Sequence, residues 1–159
     1  MAALRPTAAA VSVTTTSPEA TRALGAALGS VAEPGDLVCL WGDLGAGKTV
    51  VAKGFGAGLG VTATINSPTF VLMSEYDGRL PLFHLDLYRL DDARDAVAAG
   101  LLDERQADGV TLIEWAERLR DTLPAARLEI TIDGSGDEPR AIRVRATTGE
   151  LRRYIAALP

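Results

Sequence analysis

The stretch LVCLWGDLGAGKTV, residues 37–50, decides the fold. It begins with an unbroken apolar run, LVCLW, of the kind that suits a strand buried on both faces. It continues as a glycine-rich loop, GDLGAGKT, in which Gly42, Gly47, Lys48 and Thr49 satisfy the Walker A pattern and Gly45 adds a further glycine. The glycines let the backbone curl so that successive N–H groups point inward as an anion nest. A helix beginning near Lys48 adds its positive end to the same place. Strand, loop and helix in this order predict a phosphate-binding loop, with Lys48 reaching the β- and γ-phosphates and the Thr49 hydroxyl ligating magnesium. Asp43, Leu44, Gly45, Ala46, Gly47, Lys48, Thr49 and Val50 are therefore the expected nucleotide contacts.

The surrounding pattern predicts one α/β domain, a P-loop NTPase-like mixed parallel and antiparallel sheet with helices on both faces. Residues 1–10 read as a loose extension and residues 11–159 as the domain. VSVTTT (11–16) alternates as a short strand, and SPEATRALGAALGSVA follows as a helix with Ser17 as N-cap and Pro18 at its first position. Leu24, Leu28 and Val31 give that helix its core face. The helix after the loop carries Gly54, Gly56 and Gly58, which either admit a close neighbour or are merely tolerated. INSPTF (65–70) is a loop stiffened by Pro68. VLMSEY and LPLFHLDLY (80–88) pair as antiparallel strands around Asp77-Gly78. LDDARDAVAAG is helical, GVTLIEW (109–115) a buried strand, and AERLRDTL a helix stopped by Pro124. RLEITI and AIRVRA form a hairpin, and GELRRYIAAL closes as a helix.

Composition bounds the function. The chain has 159 residues, is 47% hydrophobic and 23% charged, and carries a net charge of −5, which argues against a protein that grips nucleic acid by itself. No apolar run spans a bilayer and the opening lacks a signal core, so a cytoplasmic protein without a membrane role is expected. The single Cys39 excludes an internal disulfide and reads as a small buried thiol. Arginines at 140, 143, 145, 152 and 153 form a basic end that reads as a solvated face, or as a docking surface for an acidic partner or partner-held RNA.

Hydrolysis needs acids as well as a loop. Asp86 ends the alternating LPLFHLD and Glu114 ends the Walker B-like VTLIE, both where α/β sheets bind ligands. One is expected to hold the magnesium shell and the other to orient or deprotonate the attacking water, with Lys48 as the third catalytic group. Thr69 in SPTF suits a switch that senses the γ-phosphate. The lone His84 reads as a packed strand residue rather than a base. Arg89 either stabilises charge or pairs with Asp91 or Asp92. Trp115 covers the nucleotide, faces a partner or packs.

GDLGAGKT, SPTF, HLDLYRL and IEW, in this order, resemble the bacterial TsaE (YjeE) family, over about residues 12–145. These are the P-loop ATPases of tRNA threonylcarbamoyladenosine biosynthesis. The resemblance implies an ATP- and Mg2+-dependent protein that works with two related partner proteins. The partners would transfer the threonylcarbamoyl group to adenosine 37 of tRNA, and this chain would hydrolyse ATP to reset them, meeting tRNA only through them. It carries the family's lysine and magnesium-binding threonine onto Lys48 and Thr49, its switch threonine onto Thr69, its metal-associated aspartate onto Asp86 and its Walker B-like glutamate onto Glu114. Ala116 and Val50 stand where the family often has Pro and Thr or Ser. A small-molecule kinase is the enzymatic alternative, although 90–109 makes a poor arginine-bearing lid. A GTPase lacks its Asn-Lys-x-Asp stretch here. A nucleotide-gated assembly factor is the non-hydrolytic alternative.

Overall fold

The computed structural model describes residues 8–43, 45–66, 73–88, 104–119 and 123–159. Leu44, the SPTF segment with Thr69, Arg89 and the helix expected over 90–100 lie outside the described residues. Within them, seven strands form one sheet: β1 (Ala9–Thr15), β2 (Leu37–Trp41), β3 (Met73–Tyr76), β4 (Leu82–Asp86), β5 (Val110–Glu114), β6 (Leu128–Asp133) and β7 (Arg140–Ala146). Their spatial order is β1-β7-β6-β2-β5-β4-β3. The central pairs β6–β2, β2–β5 and β5–β4 are parallel, and the marginal pairs are antiparallel. Two of the antiparallel pairs, β3–β4 and β6–β7, join consecutive strands, the parallel pairs are reached by crossovers, and β1–β7 brings together the first and last strands.

Side chains alternate along β2. Val38 and Leu40 enter a core shared with helices α1 (Pro18–Gly29), α2 (Lys48–Gly58) and α3 (Arg152–Ala156). Leu37 and Cys39 face the opposite way, toward Phe83, Leu85, Ile113, Ala116 and Leu119. This explains the unbroken apolar run. Both faces of β2 are dry, so neither tolerates a charge. The helix expected over 116–123 is realised, where described, as a 3-10 turn at Ala116–Arg118. Trp115 ahead of it has φ 62° and ψ 41°, a left-handed conformation that leaves strand β5 abruptly and feeds a tight turn. A further 3-10 turn over Glu104–Asp108 had no counterpart in the sequence reading.

Several boundaries moved. β1 starts at Ala9, two places before the expected strand, because Ala9 and Ala10 pair with Ala146 and Arg145 on β7. The closing helix is confined to Arg152–Ala156. It is anchored by Tyr154, which is fully buried and donates to the Asp36 carboxylate at 2.5 Å, while Arg153 pairs with the same carboxylate. Arg145 pairs with Glu129 at 3.1 Å. Much of the basic end is thus occupied inside the chain, which weakens the docking reading of that segment.

The glycines of α2 have a defined purpose. A Cβ on Gly54 would sit 2.1 Å from the Arg22 carbonyl oxygen, and one on Gly58 would sit 2.0 Å from that of Ala26. On α1, a Cβ on Gly25 would sit 2.5 Å from the Val51 carbonyl oxygen and one on Gly29 2.1 Å from that of Phe55, both in α2. The two helices cross backbone against backbone, and close approach rather than tolerance explains Gly54 and Gly58. Gly56 instead meets the Ile65 side chain.

Gly54→Ala is expected to destabilise the protein by about 1–3 kcal/mol, the usual cost of overpacking, read as a lower urea midpoint with unchanged slope. Burial pushes the Cys39 thiol from 9.0 up to about 12. Between those values the unfolded chain loses the proton while the native chain keeps it, so this group's contribution to stability falls as pH rises. Cys39→Ala should therefore lose less stability than the parent between pH 8 and pH 10, by about 1 kcal/mol, in paired urea titrations.

Candidate functional site

The loop between β2 and α2 lies at the C-terminal edge of the parallel strands, where an open α/β sheet offers a crevice. Gly42 leaves β2 so close to β6 that a Cβ there would lie 2.6 Å from the Ile132 carbonyl oxygen. Gly47 begins α2 with φ 111°, a left-handed conformation that side chains resist. No side chain caps this helix, leaving its first amides for another acceptor.

A cleft of about 450 Å³ opens beside the loop, lined by Asp43, Gly45, Gly47, Lys48, Thr49, Val50, Asp86, Tyr88, Glu114 and Trp115. Nine of the ten described residues expected at the site line this cleft; the tenth, Ala46, lines a second cavity of about 180 Å³. That second cavity shares Gly47 and Val50 and is otherwise bounded by Thr15, Thr16, Ser17, Pro18, Thr21, Gly136, Asp137, Glu138 and Arg140. Sequence reading missed this wall, because it joins the first helix to a hairpin turn more than a hundred residues away.

Within the cleft the polar groups converge. Asp86 and Glu114 are direct partners in the parallel β4–β5 register, so both carboxylates stand on the α2 side of the sheet. The Thr49 hydroxyl donates to Glu114 Oε1 at 3.4 Å. On its other oxygen, Glu114 Oε2 lies 2.6 Å from His84 Nε2. Glu114 is 2% exposed and His84 0%. A buried carboxylate needs such partners, because desolvation without a hydrogen bond is costly. His84 is packed, as the sequence suggested, and it also holds the glutamate. The signal was present: His84 sits two residues before Asp86, on the same strand face.

Lys48 Nζ donates to the carbonyl of Gly42 and, at 3.2 Å, to that of Asp43. It also lies 3.8 Å from the centroid of the Trp115 ring, a cation–π distance. The left-handed backbone at Trp115 costs about 1–3 kcal/mol and aims the indole over this ammonium. Tyr88 packs on the indole with ring centroids 4.9 Å apart. Burial lowers the Lys48 pKa, opposed by the nearby carboxylates of Glu114, Glu117, Asp86 and Asp43. Burial raises that of Asp86, opposed first by the Tyr88 N–H, which donates to its Oδ1 at 3.0 Å.

The Thr49 hydroxyl and the Asp86 and Glu114 carboxylates are hard oxygen donors of the kind magnesium takes. Among the described residues no cluster of three or more His, Cys, Asp or Glu forms a self-sufficient metal site. Two carboxylates and a hydroxyl match the donors of magnesium sites that bind through one or two carboxylates together with a nucleotide's phosphates. No helix among the described residues is long and apolar enough to cross a membrane.

Comparison with known proteins converges on one family. A sequence profile described as "Threonylcarbamoyl adenosine biosynthesis protein TsaE" matches residues 15–142. The tRNA threonylcarbamoyladenosine biosynthesis protein TsaE of Bacillus subtilis is 46% identical over 133 residues, covering 83% of each chain. Its namesake from Streptomyces coelicolor is 40% identical over 141 residues, covering 86% of this chain and 95% of that one. The crystal structure of Bacillus subtilis YdiB superposes with a TM-score of 0.77 at 37% identity, covering 94% of this chain and 93% of that one.

His84→Ala leaves Glu114 buried without its closest partner and should cost about 2–4 kcal/mol, the unsatisfied group plus the cavity. His84→Gln, whose amide can still donate, should recover part of that loss in urea unfolding.

Proposed function

The chain belongs to the TsaE family, and from that premise we propose that it is the ATP-hydrolysing component of a tRNA threonylcarbamoyladenosine-forming assembly. The observation that carries this reading is the convergence of Thr49, at the start of the loop helix, on Glu114, at the end of β5. A phosphate cradle alone binds; a cradle facing a held carboxylate can also act on the terminal phosphate.

In this reading the triphosphate lies along the amides of Gly45–Thr49, and the nucleoside extends into the second cavity beside Ala46 and Val50. Lys48 releases the carbonyls of Gly42 and Asp43 to take the β- and γ-phosphate oxygens. Magnesium, held through Thr49 with Asp86 and Glu114 nearby, would neutralise charge on those oxygens. Glu114 orients the attacking water and accepts its proton, and His84 keeps that carboxylate in position. Trp115 and Tyr88 wall the cleft. Leu44 and Thr69 complete the expected nucleotide contacts. Water attacks the γ-phosphorus, the bond to the β-phosphate oxygen breaks, and ADP and phosphate leave.

The chain would work in the cytoplasm with two related partner proteins that carry the transfer site and hold the tRNA. Its net charge of −5 agrees with that division of labour. Hydrolysis should be slow for the isolated chain and faster with both partners.

Lys48→Ala is expected to weaken ATP binding about 10- to 100-fold, the loss of a charge-assisted contact. Glu114→Gln should still bind ATP while turnover falls about 100-fold or more, as for loss of a general base. Equilibrium binding and phosphate release, with and without the partners, measure both. Label from γ-labelled ATP recovered in a small molecule instead of free phosphate would favour a kinase, and unchanged multiple turnover in Glu114→Gln would remove that residue from the mechanism.

A further inference from the structure

Arg140 opens β7 and reaches across to a loop far away in sequence. Its Nε donates to the Ala46 carbonyl at 2.8 Å and its Nη2 to that of Gly45 at 3.4 Å, across a separation of about 94 residues. The same guanidinium donates to Gly136 at 3.1 Å and, through Nη1, to Glu138, both in the turn joining β6 and β7. All three of its nitrogens therefore meet backbone carbonyls, two in the phosphate loop and two in the turn. We propose that Arg140 is a positioning residue, a latch that fixes the outward-facing carbonyls of the phosphate loop to the β6–β7 turn and so couples the two cavities on either side of Gly47.

The argument rests on peptide geometry. A trans peptide is planar, with its C=O and N–H opposed, and no cis peptide occurs among the described residues. Holding the Ala46 carbonyl on Arg140 therefore turns the Gly47 N–H to the opposite side of the loop. Gly47 has the conformational freedom to rotate that peptide, at φ 111° with no side chain, so an external constraint is needed to keep one orientation. A planar fork meets several carbonyls at once, which a lysine ammonium cannot reproduce from the same place. The turn it grips carries Asp137 and Glu138 into the second cavity. Ser135 closes the turn, donating its hydroxyl to the Glu138 carboxylate at 3.0 Å. A ligand that displaces this turn would thus be felt at Ala46, and the reverse.

The coupling rests on the nucleotide reading above, but the latch can be tested without it. Hydrogen exchange at residues 45–47 is compared in the nucleotide-free parent, Arg140→Met and Arg140→Lys. Affinities for ATP and for tripolyphosphate, which probes the loop without a nucleoside, are measured beside it. Both variants should exchange faster at these amides. Both should bind ATP and tripolyphosphate about tenfold more weakly, by similar factors, as expected for losing one or two hydrogen bonds that order the loop. Unchanged exchange overturns the latch. So does a loss confined to ATP, which would make Arg140 a nucleoside contact, and so does parental behaviour in Arg140→Lys, which would reduce its role to a point charge. If the parent itself binds neither probe, the nucleotide reading fails, and the exchange comparison alone decides the latch.

Discussion

A carboxylate buried at the end of a strand is the constraint on which this site depends. Glu114 cannot sit among apolar neighbours at 2% exposure unless its oxygens are hydrogen-bonded. One oxygen faces His84 and the other Thr49. Those two partners come from β4 and α2, so satisfying one side chain requires the parallel β4–β5 register and the placement of the loop helix together. The groups that make the cleft chemically interesting are the same ones that make it foldable.

The helical layer imposes a second condition. Thr49 stands where it does because α2 is pressed against α1 through Gly25, Gly29, Gly54 and Gly58. A bulkier crossing would push α2 outward. The same face holds the largest core cluster, from Leu24 and Phe55 to Ile130 and Val144. Packing at that density transmits small changes rather than absorbing them.

The sequence was legible wherever the determining signal was local. LVCLW followed by GDLGAGKT identified strand, loop and helix from consecutive residues, and VTLIE identified the acid-terminated strand. What escaped needed partners distant in the chain. His84 meets Glu114 only because β4 and β5 are parallel and in register, 30 residues apart. Arg140 looked like one of a run of surface arginines until the fold laid it against Ala46. The helix expected after Trp115, with Pro124 as its stop, is described only in part, and there the left-handed backbone at Trp115 leads into a 3-10 turn at Ala116–Arg118. The α2 glycines carried a real signal that was ambiguous, since the composition of one helix cannot reveal the backbone of another. Leu44 and Thr69, both expected at the nucleotide, lie outside the described residues.

The resting place of Lys48 has a consequence for selectivity. Its ammonium is already satisfied by two carbonyls of its own loop and by the face of Trp115. An incoming anion does not meet a free cation; it competes with an internal substitute present at high effective concentration. In the proposed reading, a chain of linked phosphates would replace the carbonyls while also engaging the loop amides, so the loop would discriminate by the number of charges delivered together. Under the proposed ATPase reading, the lysine's self-contact would act as a threshold against small single anions.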